Sequence, residues 1–167
     1  EYLFDQDGEF AKKGNIDFDF LEILYQKTLG NYYSKLPPKS LDIKDIIYIP
    51  EIKSRFPQKY FYDGCATLAA FTSYVIYKSI KETVPEQIIF CGGGAKNPGI
   101  VDTLKYFLPN IKINTADEIG WSDTYMEAEL MAWLGVRSVK NLPLTIPETT
   151  GVSKPVSGGK LFLPENK

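Results

Sequence analysis

Apolar residues recur along this chain at helical and at strand spacing, and the alternation between the two outlines most of its elements. From Asp17 onward, Leu21, Leu24, Tyr25, Thr28 and Leu29 return every three or four positions. This predicts a helix capped by Asp17 and stopped at Gly30-Asn31. A longer helix is predicted from Asp63 to about Ile80, with Leu68, Thr72, Val75 and Ile76 on one face. Ala66, Ala69 and Ala70 add small side chains that let a sheet or a second helix approach closely. Gln87 to Cys91 is a short apolar run that reads as a buried strand, and it breaks off in Gly92-Gly93-Gly94. A helix is expected to follow, because Asn97 suits the N-cap and Pro98 the first turn. Ile100, Leu104, Phe107 and Leu108 then keep helical spacing. Ile111 to Thr115 reads as a second strand, so the order helix, strand, helix, strand implies a parallel pair with a right-handed crossover. A last helix is expected from about Ser122 to Val139, with Met126, Leu130, Trp133 and Leu134 as a broad apolar face.

The stretches between these elements are rich in turn residues. Phe4 to Gly14 is polar, and Asp5 and Asp7 are expected to accept backbone hydrogen bonds there. Two prolines hold Leu36 to Ser40 extended, and residues 41–60 read as short elements in a connector. Asp117 to Asp123 is a polar loop. After Asn141, prolines and glycines are expected to stop further helix, leaving Thr149 to Pro155 extended. Trp121 and Trp133 are expected to pack rather than to stack on a ligand.

Composition removes several function classes. The 167 residues suit one domain, and 44% hydrophobic with 24% charged residues is a globular balance. A net charge of −2 without a basic stripe argues against nucleic acid as a partner. No stretch reaches the length of a membrane span, and no signal peptide is visible. The absence of histidine rules out a histidine triad, a histidine base and histidine zinc sites within these residues. Cys65 and Cys91 have no metal or redox spacing; they read as buried thiols in a reducing cytosol, with a disulfide as the alternative. An aromatic content of 14% can cover a homodimer interface as readily as a core. The chain starts at Glu1 without methionine and reads as a piece of a longer polypeptide.

The candidate chemistry centres on the glycine turn. Glycine removes the Cβ that keeps ligands off the main chain, and a helix N-terminus just beyond it favours phosphate. A dinucleotide fingerprint would need a third glycine where Asn97 stands. A P-loop would need Ser or Thr where Leu161 follows Gly158-Gly159-Lys160. A tight turn without any ligand remains open on these residues alone. Glu127 lies one turn beyond Asp123, either as a solvated helix glutamate or as a ligand contact, and Lys39 and Ser40 can approach phosphate or sugar or simply be exposed.

Six segments in order resemble one family. They are Phe4-Asp-Gln-Asp-Gly8 with Ala11 and Gly14, Pro37-Pro-Lys-Ser40, Ala66-Thr-Leu68, Gly92-Gly-Gly-Ala-Lys-Asn97, Glu127-Ala128 with Ala132-Trp-Leu134, and Thr150-Gly151. Together they resemble the C-terminal half of anhydro-N-acetylmuramic acid kinases, over nearly the whole chain. The resemblance implies an α/β fold, a ribonuclease-H-like lobe of the sugar kinase, Hsp70 and actin superfamily with a mixed sheet flanked by helices. It implies ATP with Mg²⁺, an amino-sugar substrate and a cytoplasmic place in cell-wall recycling. Gly92, Gly93, Gly94 and Asn97 would form the adenosine side of the ATP site, and Glu127 would contact the sugar. The family's phosphate-binding Gly-Thr-x-Ser-Gly-Thr segment and catalytic aspartate precede the part matched, so these residues alone should be inactive. Pro-Pro-Lys-Ser is followed here by Leu41-Asp42-Ile43-Lys44, where the family usually has Thr-Gly-Arg-Glu. Two other readings stay open: a degenerate, non-catalytic nucleotide-binding or interaction module, and a related kinase for another sugar.

Overall fold

Asp5 organises the first turns of a chain whose residues 4–29, 49–80 and 82–163 are described by a computed structural model. Its carboxylate accepts from the Phe10 and Ala11 N–H groups at 2.7 and 3.0 Å, tying together the 3₁₀ turns Gln6–Gly8 and Ala11–Lys13. Asp7 does not share that role: it sits in left-handed backbone at φ 52°, and among the described residues its carboxylate accepts no backbone bond. Helix α1, Phe18–Leu29, starts where expected, with Asp17 Oδ1 accepting from Phe20 N–H at 3.0 Å. Within the connector, α2 spans Ile49–Arg55, and its Arg55 pairs with Asp17 at 2.7 Å. The expected stop at Gly30-Asn31, the Leu36–Ser40 loop and residues Leu41–Lys44 lie outside the described residues.

Helix α3, Phe61–Ile80, is the spine of the fold. On one side Phe71 joins Phe20 and Leu24 of α1, with Ile52, Phe56 and Val75 packed against them. On the other, α3 meets α4, Pro98–Phe107, and the sheet, in a cluster of Val101, Leu104, Leu108 and Ile113 with Ile76, Tyr77, Ile88 and Phe90 around it. The buried face differs from the expected stripe. Ala66, Thr67, Ala69, Ala70 and Ser73 face inward, whereas Leu68 and Thr72 are exposed. Small side chains win that face because α4 comes close enough for Ser73 Oγ to donate to the Ile100 carbonyl at 2.6 Å. A Cβ on Gly99 of α4 would stand 3.2 Å from Ala69 Cβ.

Strands β1, Gln87–Phe90, and β2, Lys112–Thr115, pair in parallel, with Gln87 opposite Lys112 and Phe90 opposite Thr115. Among the described residues the sheet is these two strands and purely parallel, where a mixed sheet was expected. Ile88 and Phe90 face the α3 and α4 core, while Ile89 lies exposed on the opposite face. The last long helix, α5, Met126–Val139, starts four residues later than its periodicity predicts. Ser122 and Asp123 are held in a turn instead, with Ser122 Oγ accepting from Tyr125 N–H at 3.1 Å. None of the α5 residues is buried, and Trp121 and Trp133 are both more than half exposed, so neither packs as expected. A short helix α6, Pro147–Thr150, interrupts the expected extended tail, because Pro147 suits a first turn and Gly151 at φ 71° ends it. No helix among the described residues is long and apolar enough to cross a membrane.

One polar cluster ties α1 to α3 and carries a pH-dependent prediction. The Tyr74 hydroxyl donates to the Glu22 carboxylate, and that bond, with a second from Gln26, holds Glu22 below the usual glutamate range. A carboxyl lowered on folding stabilises the protein above its unfolded pKa, and the contribution fades as pH falls through the folded value. Tyr74→Phe should therefore lower the melting temperature at pH 7, with the difference from the parent shrinking below about pH 4.5. Melting curves across that range check it; a gap that ignores pH would place the effect in ring packing.

Candidate functional site

The end of β1 delivers bare main chain to the surface. Gly92 takes φ 78° and ψ −174°, a conformation rarely open to L side chains, so the backbone itself calls for glycine there. Gly93 and Gly94 are different. Neither has a positive φ, and a Cβ on Gly93 would meet nothing within 4 Å. One on Gly94 would touch only Ile100 Cδ1, at 3.9 Å. Neither backbone geometry nor internal packing calls for glycine at these two positions. Their amides open the 3₁₀ turn Gly93–Lys96 and have no acceptor within it.

Two cavities meet at this turn, each of a size that accepts a small ligand. One, of about 460 Å³, is lined by Gly92, Gly93, Lys96, Asp123, Thr124 and Glu127 among others. The second, of about 490 Å³, is lined by Asp7, Gly93, Gly94, Lys96, Asn97 and Ile100 among others. The predicted site residues thus divide, with Glu127 on one side of the turn and Gly94 and Asn97 on the other, while Gly93 and Lys96 face both. Glu127 is exposed in the first turn of α5, where the helix dipole favours a negative side chain.

Asn97 holds its place by a local bond: its Oδ1 accepts from Gly99 N–H at 2.9 Å and caps α4 as predicted. Its side-chain NH₂ is left for a ligand. The Asp7-Gly8 turn abuts it, and a Cβ on Gly8, whose φ is 69°, would come within 2.9 Å of Asn97 Cγ. The aspartate-glycine turn near the N-terminus therefore forms one wall of the second cavity.

Sequence reasoning left Lys96 and Thr124 unassigned and took Asp123 as a helix-start residue. Lys96 is the cation common to both linings, and its Nζ lies 3.5 Å from Thr124 Oγ1. Its place three residues after Gly93 was the available signal. Asp123 is buried at 6% exposure, and its six-residue spacing from Asp117 was the corresponding clue. Cys91 is exposed beside Gly92 rather than buried, and Cys65 is half-buried, its thiol pushed up by burial and then by Asp5; both are free, so no disulfide forms between them. Among the described residues no group of three or more His, Cys, Asp or Glu side chains could hold a metal ion.

A sequence model of anhydro-N-acetylmuramic acid kinases matches residues 1–164. Curated kinases of that name are similar over most of the chain. The protein from Roseobacter denitrificans is 32% identical over 96% of these residues, and that from Methylorubrum populi is 38% identical over 96%. The Nitrobacter winogradskyi protein is 36% identical over 96%. The chain spans about two-fifths of the length of each, at 41%, 41% and 42% respectively. With the glycine turn, the capped helix and the acidic N-terminal turn meeting in space, and with this match along 164 residues, the chain belongs to the anhydro-N-acetylmuramic acid kinase family.

Proposed function

We propose that these residues are the C-terminal, ATP-binding lobe of a two-lobe kinase that acts on 1,6-anhydro-N-acetylmuramic acid, a ribonuclease-H-like lobe working in cytoplasmic cell-wall recycling. The observation that carries the reading is the pair Gly93 and Gly94, where nothing among the described residues demands glycine: a Cβ on Gly93 would meet no atom within 4 Å and one on Gly94 only Ile100 Cδ1. A site that brings a nucleotide against the main chain explains both residues. In this reading adenosine rests on the Gly92–Gly94 backbone near Asn97, and Glu127 across the turn hydrogen-bonds the sugar. Mg²⁺ bound with the nucleotide would neutralise phosphate charge, and no carboxylate cluster among the described residues is assigned to hold it. In the complete enzyme, water adds at C1 as the C1–O6 bond opens, and O6 takes the γ-phosphoryl group with release of ADP.

The base that activates water belongs to the portion of the relatives outside these residues. Phosphoryl transfer needs donor, acceptor and base held in line, and Glu127 supplies at most a substrate contact. The test is product analysis by mass spectrometry. Protein from the complete reading frame, given Mg-ATP and the anhydro sugar, should yield N-acetylmuramic acid 6-phosphate, and the 167-residue chain alone should yield none. Glu127→Ala in the complete enzyme should raise KM for the sugar about tenfold or more and leave KM for ATP within about twofold. Turnover by the isolated chain, or a preference for a different sugar, would overturn the assignment.

A further inference from the structure

We infer that Asp123 is the positioning residue of the glycine turn, which rests on the nucleotide reading above and adds to it the device that holds the cradle open. Asp117 and Asp123 exchange hydrogen bonds across the loop after β2. Asp123 N–H donates to Asp117 Oδ1 at 2.9 Å, and Asp117 N–H donates to Asp123 Oδ1 at 3.2 Å. The main-chain carbonyl of Asp123 accepts from Gly92 N–H at 3.2 Å. One buried residue therefore grips the loop after β2 with its side chain and the positive-φ glycine with its backbone.

The arrangement is closed on all sides. Ala116, fully buried at the end of β2, donates to the Phe90 carbonyl at 2.7 Å and accepts from Trp121 N–H at 2.9 Å. Gly120 turns the loop in left-handed backbone at φ 84°. Both strand ends and the loop between Ala116 and Asp123 are thereby fixed to each other. The bond from Gly92 N–H to Asp123 fixes the point from which Gly93 and Gly94 leave the strand. Met126 and Glu127 follow within four residues of Asp123, so the same clasp fixes the first turn of α5 against the cavity. The requirement is an acceptor oxygen at Oδ1, and asparagine supplies one as well as aspartate does.

Two readouts on protein from the complete reading frame test this: deuterium exchange at Gly92 N–H, with Leu104 N–H in α4 as the internal reference, and calorimetric titration with Mg-ATP. Asp123→Ala should speed Gly92 exchange by about tenfold or more, spare Leu104, and weaken Mg-ATP binding by about tenfold. Asp123→Asn should restore both to within about twofold of the parent. Asp117→Ala, which removes the reciprocal acceptor at an exposed position, should also speed Gly92 exchange and guards against an Asp123→Ala protein that does not fold. Unchanged Gly92 exchange in Asp117→Ala, or an Asp123→Asn protein no better than Asp123→Ala, would overturn the inference. A parent that fails to bind Mg-ATP while its alanine variants still free Gly92 would instead remove the nucleotide reading and leave the clasp standing.

Discussion

Valine at position 93 should abolish Mg-ATP binding, with affinity falling by about a hundredfold or more, while the melting temperature stays within about 2 °C of the parent. Both halves of that result follow from the same geometry. Among the described residues a Cβ on Gly93 meets no atom within 4 Å, and the residue's backbone lies outside the left-handed region, so neither packing nor backbone conformation opposes a side chain there. The space that valine fills is the junction of the two cavities, both of which Gly93 lines. Gly92 would be the wrong position for the experiment, because at φ 78° a side chain strains the backbone and would mix instability with lost binding. Calorimetry paired with thermal melting separates the two effects. Equal affinity in parent and variant would take the glycine turn out of the site.

Gly14→Ala should have the opposite profile, a loss of about 3 kcal/mol in stability whether or not nucleotide is present. Gly14 is in ordinary extended backbone at φ −104° and ψ 166°, so conformation is not the reason for glycine. Space is the reason. A Cβ would sit 2.6 Å from the Asp63 amide nitrogen and closer still to the Tyr62 carbonyl, and both are backbone atoms of α3 that cannot swing aside. The N-terminal segment would have to lift from α3, weakening the 2.7 Å bond from Asn15 N–H to the Asp63 carboxylate. For a domain of this size the melting temperature should drop by about 6 to 12 °C. Gly120→Ala is the control: at φ 84° with nothing within 4 Å, it carries backbone strain alone and should cost only about 1 kcal/mol.

Local chemistry was legible at the helix caps. Asp17 and Asn97 cap their helices as composition and spacing indicated, and each does so through a side-chain oxygen on its own next turn. The glycine run was likewise readable as a strand-to-helix turn, and it forms one between β1 and α4. Packing that depends on a distant partner was legible only in part. Of the predicted stripe Val75 and Ile76 pack into the two clusters while Leu68 and Thr72 stay exposed, and the small Ala69 and Ala70 admit α4 as their size indicated, whereas the place of Ser73 beside Ile100 depends on where α4 lies. Apolar periodicity also overstated α5, whose Leu130 and Trp133 remain exposed. The site divided in the same way. Gly93 and Glu127 came from a local motif and a family resemblance, whereas Asp123 gains its place through Asp117, to which its six-residue spacing was a clue, and through Gly92, which lies thirty-one positions away across the strand pair.

The wall that Asp7 and Gly8 build against Asn97 joins parts of the chain some ninety positions apart, and this constrains the order of assembly during translation. The turn at Asp7-Gly8 emerges from the ribosome before α3 and α4, yet its docking surface exists only once α3 and the start of α4 have followed. Such non-local closure is slow relative to helix formation. On a ribosome the two helices should therefore pair before the acidic turn settles, and the second cavity should be among the last features of this chain to mature.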